Sequence, residues 1–350
     1  MLKNMPIKMN VPESHLLYKV VDGQKRLCVS YSQIETFLTC PMKWYKTYIE
    51  GDRSFEKQEA TSYGSVIHSV LEYFFKNEKK PSAKDLSDAY NYYAFHEEIP
   101  FSSVESSLRA TKQAVELISW MGELFEKKNG IYVKPDSELN PAEKLLRRGV
   151  MVGIEERFDL PYRLPEPVDI NGEVHTHVII TGSIDLHPVI KTKDGIHHYV
   201  VDWKSGNHLF DNKKLETNLQ HPIYSFYILR KYGGALPDMC IYFFTRTREY
   251  QKVKVDKDRV NKSIEILNDA FKRMYNFGNR NVSKFYSYSE IEKKDGSKGY
   301  VYRTEKLREN LDDNMKPCPS ALCYYCDFGK YKKNTCPFSS DWDPSKKKQK

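Results

Sequence analysis

The sequence predicts an α/β protein: a mixed central sheet flanked by helices, with a helical insertion and a cysteine-stapled C-terminal segment. Three observations predict it. Apolar runs of strand length recur at 148–162, 174–187, 196–204 and 238–255. Residues 63–77 and 256–277 space their apolar side chains by three and four, the period of a helix with one buried face, and a further helix at about 218–232 lies between the last two strand runs. Four of the seven cysteines, Cys318, Cys323, Cys326 and Cys336, crowd towards the C-terminus.

Taken in order, residues 1–29 read as a strand-bearing N-terminal arm. The segment 30–79 holds two helices. The first, over 30–49, is capped by Ser30 or Ser32, buries Ile34, Phe37 and Leu38, and is disturbed or restarted at Pro41. The second, 63–77, sets Val66, Val70 and Phe74 on one side. Residues 80–146, polar and punctuated by Pro81, Pro100 and Pro135, read as the helical insertion. The core, 147–280, contains the four strands, a helix ended by Gly233 and Gly234, and a last helix closed by Gly278. That last helix carries Val260, Ile264, Leu267, Phe271 and Met274. Residues 281–340 comprise a hairpin over 281–305, turning at DGSKG, and the cysteine segment; 341–350 form a frayed basic tail.

A chain of 350 residues, 40% hydrophobic, can fill one large core or two modest ones. No apolar run reaches the roughly 18 residues of a membrane span, and the opening MLKNMPIKMN lacks the apolar stretch of a signal peptide. A cytoplasmic protein is expected, in a bacterium or in the host of a phage. The net charge of +8 favours a polyanionic partner. The 25 tyrosines and 17 phenylalanines suit base stacking and a hydrophobic core equally well. Seven cysteines without a secretory signal argue against a disulfide framework. Cys28 and Cys240, in apolar strand-like contexts, read as buried and inert.

Four motifs carry chemistry. Gly64-x3-His68-x3-Glu72 falls on one helix face. Gly182-Ser183-Ile184-Asp185 is read at a strand end. Asp202-Trp203-Lys204 closes the run Tyr199, Val200, Val201, and strand alternation sends Asp202 and Lys204 to the same face. Gln220-x3-Tyr224 lies on the following helix. Singly, each has a plain structural explanation: a packed core histidine, a solvated strand edge, an ordinary helix surface. Together they place unpaired charges at the end of a buried strand, where a metal or a substrate phosphate removes the penalty of burial.

As an ordered set, SYSQIETFLTCP at 30–41, YGSVIHSVLE at 63–72, ITGSIDL at 180–186, VVDWKSG at 200–206 and NLQHPIYSF at 218–226 resemble the PD-(D/E)XK nuclease superfamily. The branch they resemble is that of the RecB-like exonucleases, which includes AddB-type helicase-nucleases and CRISPR-adaptation nucleases. The resemblance implies a restriction-endonuclease-like core. It implies His68, Asp185, Asp202 and the main-chain carbonyl of Trp203 as ligands of Mg²⁺ or Mn²⁺. It makes Lys204 the residue that orients the attacking water and stabilises charge on the phosphate, with Gln220 and Tyr224 positioning Lys204 or the substrate strand. One of Glu155 and Glu156 is expected near the site and the other at the surface; Glu72 is expected to be structural.

The resemblance also implies a [4Fe–4S] cluster held by Cys40, Cys323, Cys326 and Cys336. A zinc site using Cys318, Cys323, Cys326 and Cys336 is the alternative. The function expected is a metal-dependent deoxyribonuclease, an exonuclease preferring single strands or ends, in recombination, repair or phage DNA processing. The alternatives are a catalytically silent nucleic-acid-binding protein of the same fold, and an RNA nuclease. With no GxxxxGK[ST] motif, unwinding would fall to a helicase or recombination partner.

Overall fold

The structure, a computed structural model, describes residues 7–9, 18–52, 58–234, 236–279, 287–292, 298–303, 322–329, 336 and 338. The chain divides into two units. The first comprises Met1–Phe55, Asp159–Thr181 and Ile264–Lys350, and the second Glu56–Phe158 and Gly182–Ser263.

The first unit begins with β1 (Ile7–Met9), β2 (Tyr18–Val21), β3 (Gln24–Ser30), α1 (Tyr31–Thr39) and α2 (Pro41–Trp44), the last widening into a π-helical turn over Tyr45–Ile49. Ser30 is the cap of α1, accepting the Gln33 amide, and Pro41 opens α2 as its first residue. Leu38, expected inside, is 37% exposed, because this nine-residue helix buries only the narrow stripe of Gln33, Ile34 and Phe37.

The second unit supplies α3 (Glu59–Lys76), α4 (Ala83–Glu97), α5 (Val104–Phe125), the short strands β4 (Lys127–Lys128) and β5 (Ile131–Tyr132), and α6 (Pro141–Arg148). Helices α4 and α6 open with capping boxes, Ser82 with Asp85 and Asn140 with Glu143. The strands β6 (Val150–Ile170) and β7 (Glu173–Thr192) each run through both units. They are longer than the apolar runs suggested. Pro161, Pro165 and Pro167 disguise the end of β6, although Leu160, Tyr162 and Leu164 keep the inward alternation of a strand. Asp185 therefore lies inside β7, not at its end.

There follow β8 (Gly195–Lys204), α7 (Asn212–Thr217), α8 (Gln220–Lys231), β9 (Met239–Phe244), β10 (Glu249–Val253) and α9 (Lys257–Asn279), whose last turn contains Gly278. The expected hairpin is present as β11 (Ser287–Glu292) paired antiparallel with β12 (Lys298–Arg303); a single helical turn, α10 (Leu322–Tyr325), follows. Most of the DGSKG turn, Cys318 and the basic tail lie outside the described residues.

In the first unit β1 runs parallel to β6, β3 parallel to β7, and β2 antiparallel to β3. In the second, β7 and β8 are antiparallel, β8 and β9 parallel across the α8 crossover, and β9 and β10 antiparallel. The sheet is thus mixed and flanked by helices, as expected. Alternation sorts its faces. Leu186, Val201, Trp203, Ile241 and Phe243 join the core formed with α3, α4, α5 and α6. Asp202, Lys204 and Tyr242 meet α8 on the other face, through Gln220 and His221.

Candidate active site and cysteine site

The candidate active site lies within the second unit and starts where a ladder stops. β7 and β8 pair as far as Leu186↔Val201. Beyond that rung the Asp185 carboxylate accepts the Trp203 amide at 2.6 Å. A side chain thus replaces a backbone partner, and the strand pair opens beside Asp202. Trp203 turns its ring away into the core, stacked on Phe75 at 6.0 Å.

Helix α3 brings His68 to this opening. Gly64, one turn earlier, permits the approach: a Cβ there would come 2.8 Å from Ser205 Oγ, in the loop after β8. Strand β6 adds Glu155 through a local irregularity. Glu155 has φ +46°, and the inward-facing positions shift there by one residue, from Gly153 before it to Phe158 and Leu160 after it. An extra residue of this kind re-aims side chains in a strand. Glu155 Oε1 lies 3.4 Å from His68 Nδ1, and Glu155 Oε2 accepts the Ser183 hydroxyl at 3.2 Å. Asp185 Oδ1 is 3.6 Å from His68 Nδ1. One donor atom each from His68, Glu155 and Asp185 thus lies within 4.8 Å of the others.

Electrostatics marks the same spot. Burial opposes charge on His68, but the Glu155 hydrogen bond and the carboxylates of Asp185 and Asp202 outweigh it and hold its pKa up at about 9. Burial, and then the neighbouring Asp202 carboxylate, push Asp185 well above the usual carboxylate range. Both shifts come from carboxyl groups crowded round one imidazole in a buried place. One imidazole nitrogen and several carboxylate oxygens form a donor set that fits Mn²⁺ or Mg²⁺.

Beside it is a second, mutually bonded set. Lys204 Nζ lies 2.5 Å from Asp202 Oδ2 and donates to Gln220 Oε1 at 2.9 Å. Gln220 Nε2 donates to Asp202 Oδ1 at 2.5 Å and to Tyr224 Oη at 2.9 Å. Four of the residues singled out in the sequence are therefore joined by hydrogen bonds and one ion pair. Asn218, which the sequence reading passed over, accepts the Gln220 amide at 2.8 Å. An Asn two residues ahead of a helical Gln was the available signal. Glu72 pairs with Lys76 at 2.5 Å, one turn away.

The pair Glu155 and Glu156 corrects an expectation. One of the two was expected at the surface, yet Glu156, the one away from His68, is only 12% exposed in its side chain and bonded to Tyr227 at 2.7 Å and Lys231 at 2.5 Å, with His187 at 3.5 Å. The slip at Glu155 turns both glutamates inward. Burial works against the Glu156 carboxylate, but His187, Lys231 and Tyr227 hold its pKa down at about 2.

The candidate cluster cysteines belong to the first unit. Burial raises the Cys40 thiol, and the nearby Cys326 and Cys323 add to the effect; Cys336 is pushed up to about 12 by burial, then by Cys40 and Cys326. Backbone amides donate to three of these sulfurs: Lys43 and Met42 to Cys40, Phe328 to Cys326, and Phe338 to Cys336. Gly329 closes the turn, because a Cβ there would meet Cys323 O at 2.3 Å. Neighbouring thiols, three of them with backbone donors of their own, fit a thiolate-held metal or cluster. Cys240 is buried as expected. Cys28 is only half-buried, because it alternates with the inward Leu27 and Val29 of β3.

Among the described residues, no helix is long and apolar enough to cross a membrane. Comparison with curated proteins finds no match. Among solved structures, a candidate exonuclease from Eubacterium rectale aligns at 13% identity over 72% of this chain and 82% of that one, with a TM-score of 0.43. The family model of the PD-(D/E)XK nuclease superfamily matches residues 28–331. That match takes in His68, Glu155, Asp185, Asp202, Lys204, Gln220 and Tyr224, and the chain belongs to the PD-(D/E)XK nuclease superfamily.

Proposed function

We propose that the protein is a metal-dependent nuclease that cleaves DNA from ends or along single strands. One observation carries the reading: the His68, Glu155 and Asp185 donor atoms converge beside the bonded set Asp202, Lys204 and Gln220. His68, Asp185, Asp202 and Glu155 would hold Mg²⁺ or Mn²⁺, with the Trp203 carbonyl as a further ligand. When bound, such an ion polarises a phosphate and lowers the pKa of water. The protein's own contribution is positional. Lys204 holds a positive charge where negative charge develops on the scissile phosphate and orients the attacking water. Gln220 keeps the lysine over that place, and Tyr224 steadies Gln220.

The preference for DNA ends or single strands, the RecB-like branch, a cytoplasmic setting and a helicase or recombination partner rest on the ordered motifs. The net charge of +8 supports a polyanionic substrate. Cys40, Cys323, Cys326 and Cys336 would hold a [4Fe–4S] cluster of structural role. Cys40 lies within electrostatic reach of Cys323 and Cys326, and Cys336 within reach of Cys40 and Cys326, which supports one site shared by these cysteines.

The test is cleavage of end-labelled single- and double-stranded DNA, with matched RNA, by anaerobically purified protein beside Lys204→Ala. The expected outcome is DNA cleavage that needs Mg²⁺ or Mn²⁺ and falls at least a hundredfold in the variant. Iron, sulfide and zinc assays on the same preparation decide the cluster. Intact, iron-loaded protein that cleaves nothing would refute the enzymatic reading.

A further inference from the structure

Arg246 lies in the turn Thr245–Arg248 that joins β9 to β10, and none of the chemistry above uses it. The turn is fastened to the strand of Lys204. The Thr245 amide and hydroxyl both donate to Lys204 O, at 2.9 and 3.4 Å. Arg246, the next residue, lays its guanidinium over the Tyr63 ring, 4.5 Å from the centroid, and donates from Nη1 to Asn207 Oδ1 at 3.2 Å. Its Nε is buried without a hydrogen-bond acceptor. Tyr63 is 2% exposed and sits beside Gly64 on α3, the helix of His68. Asn207 lies in the Ser205 loop that Gly64 approaches. Arg246 is thus held between the element of His68 and the element of Lys204.

Among the described residues no carboxylate pairs with Arg246, whereas Arg248, two positions on, has Glu116 at 3.6 Å. A guanidinium is permanently charged and presents five donors in a rigid fork. Clamped by a ring face and one amide, this fork is ordered before any ligand arrives and keeps donors for an oxyanion. The substrate of a nuclease brings phosphate oxygens to this rim, where the remaining guanidinium donors can bond to them.

We propose that Arg246, held by Tyr63 and Asn207, binds a backbone phosphate flanking the scissile one; the inference rests on the nuclease reading. The contact is to the backbone, so it is blind to base sequence.

The test is fluorescence-anisotropy binding of labelled oligothymidine and of one mixed-sequence single strand to the full chain, in Ca²⁺, over a salt series. Parent, Arg246→Gln and Arg246→Lys are compared. Arg246→Gln is expected to bind both strands roughly tenfold more weakly. Its log Kd against log salt should lose a slope of about 0.7, the share of one phosphate contact on a single strand. Arg246→Lys keeps the slope but binds more weakly, because a point charge lacks the fork. KM should rise more than kcat falls. Parent-like affinity and slope in Arg246→Gln would overturn the inference while leaving the nuclease reading intact. If that variant fails to fold, Arg246→Lys decides: binding equal to the parent overturns a guanidinium contact. A folded parent that neither binds nor cleaves DNA or RNA would sink the nuclease reading itself, and this inference with it.

Discussion

Gln220 offers its carbonyl oxygen to Lys204 and its amide nitrogen to Asp202, and so holds two opposite charges at once. An amide can both donate and accept, which no carboxylate, ammonium or hydrocarbon of that length does here. Gln220→Leu keeps the volume and removes both bonds. It is expected to lower kcat about 10- to 100-fold and stability by about 1–3 kcal/mol, read from steady-state kinetics and urea unfolding. Gln220→Glu would restore the acceptor for Lys204 but set a carboxylate against Asp202, so it should not rescue activity. This residue was legible, because a Gln and a Tyr four apart on a helix share a face. Choosing between Glu155 and Glu156 was not legible. Their inward or outward sense depends on a one-residue slip in β6, and nothing in GIEERFDLP marks where the slip falls.

At the scale of elements, Glu156 links β6 to α8 through Tyr227 and Lys231, on the helix that also carries Gln220. A carboxylate held at about 2, against an ordinary value of 4.5, stabilises the fold wherever the unfolded chain would also be ionised. That contribution is complete above about 4.5 and fades as the pH falls towards 2. Wild type should therefore melt above Glu156→Gln near neutral pH, and the gap should close between pH 4.5 and 2; differential scanning calorimetry across that range checks it. A gap that stays constant to pH 2 would show that Glu156 contributes by shape and not by charge. The helices α3 and α9 were legible from their period, and α8 from the glycines that end it. Three prolines hid the end of β6, since a strand tolerates proline only where its amide is not needed.

At the scale of the molecule, the motifs stood in order along the sequence, but the division of the chain did not. The backbone passes between the two units four times, partly in mid-strand and mid-helix, so no linker or change of composition announces a boundary. All of His68, Glu155, Asp185, Asp202, Lys204, Gln220 and Arg246 fall in the second unit, and the four candidate cluster cysteines in the first. The spacing of the cysteines was readable; their gathering with Cys40 was expected only from the resemblance.

The rung that Asp185 takes over from the backbone also bears on stability. A sheet that ends its pairing at a buried acid, with another beside it, stores a local conflict between function and folding. Asp185→Asn keeps an acceptor for the Trp203 amide and removes the repulsion. The metal-free variant should melt at a higher temperature than the parent and be inactive. Added Mn²⁺ should raise the parent's melting point and barely move that of the variant. Wild type is thus expected to be a protein that its own cofactor completes, with divalent-ion supply setting how much of it is folded as well as how fast it works.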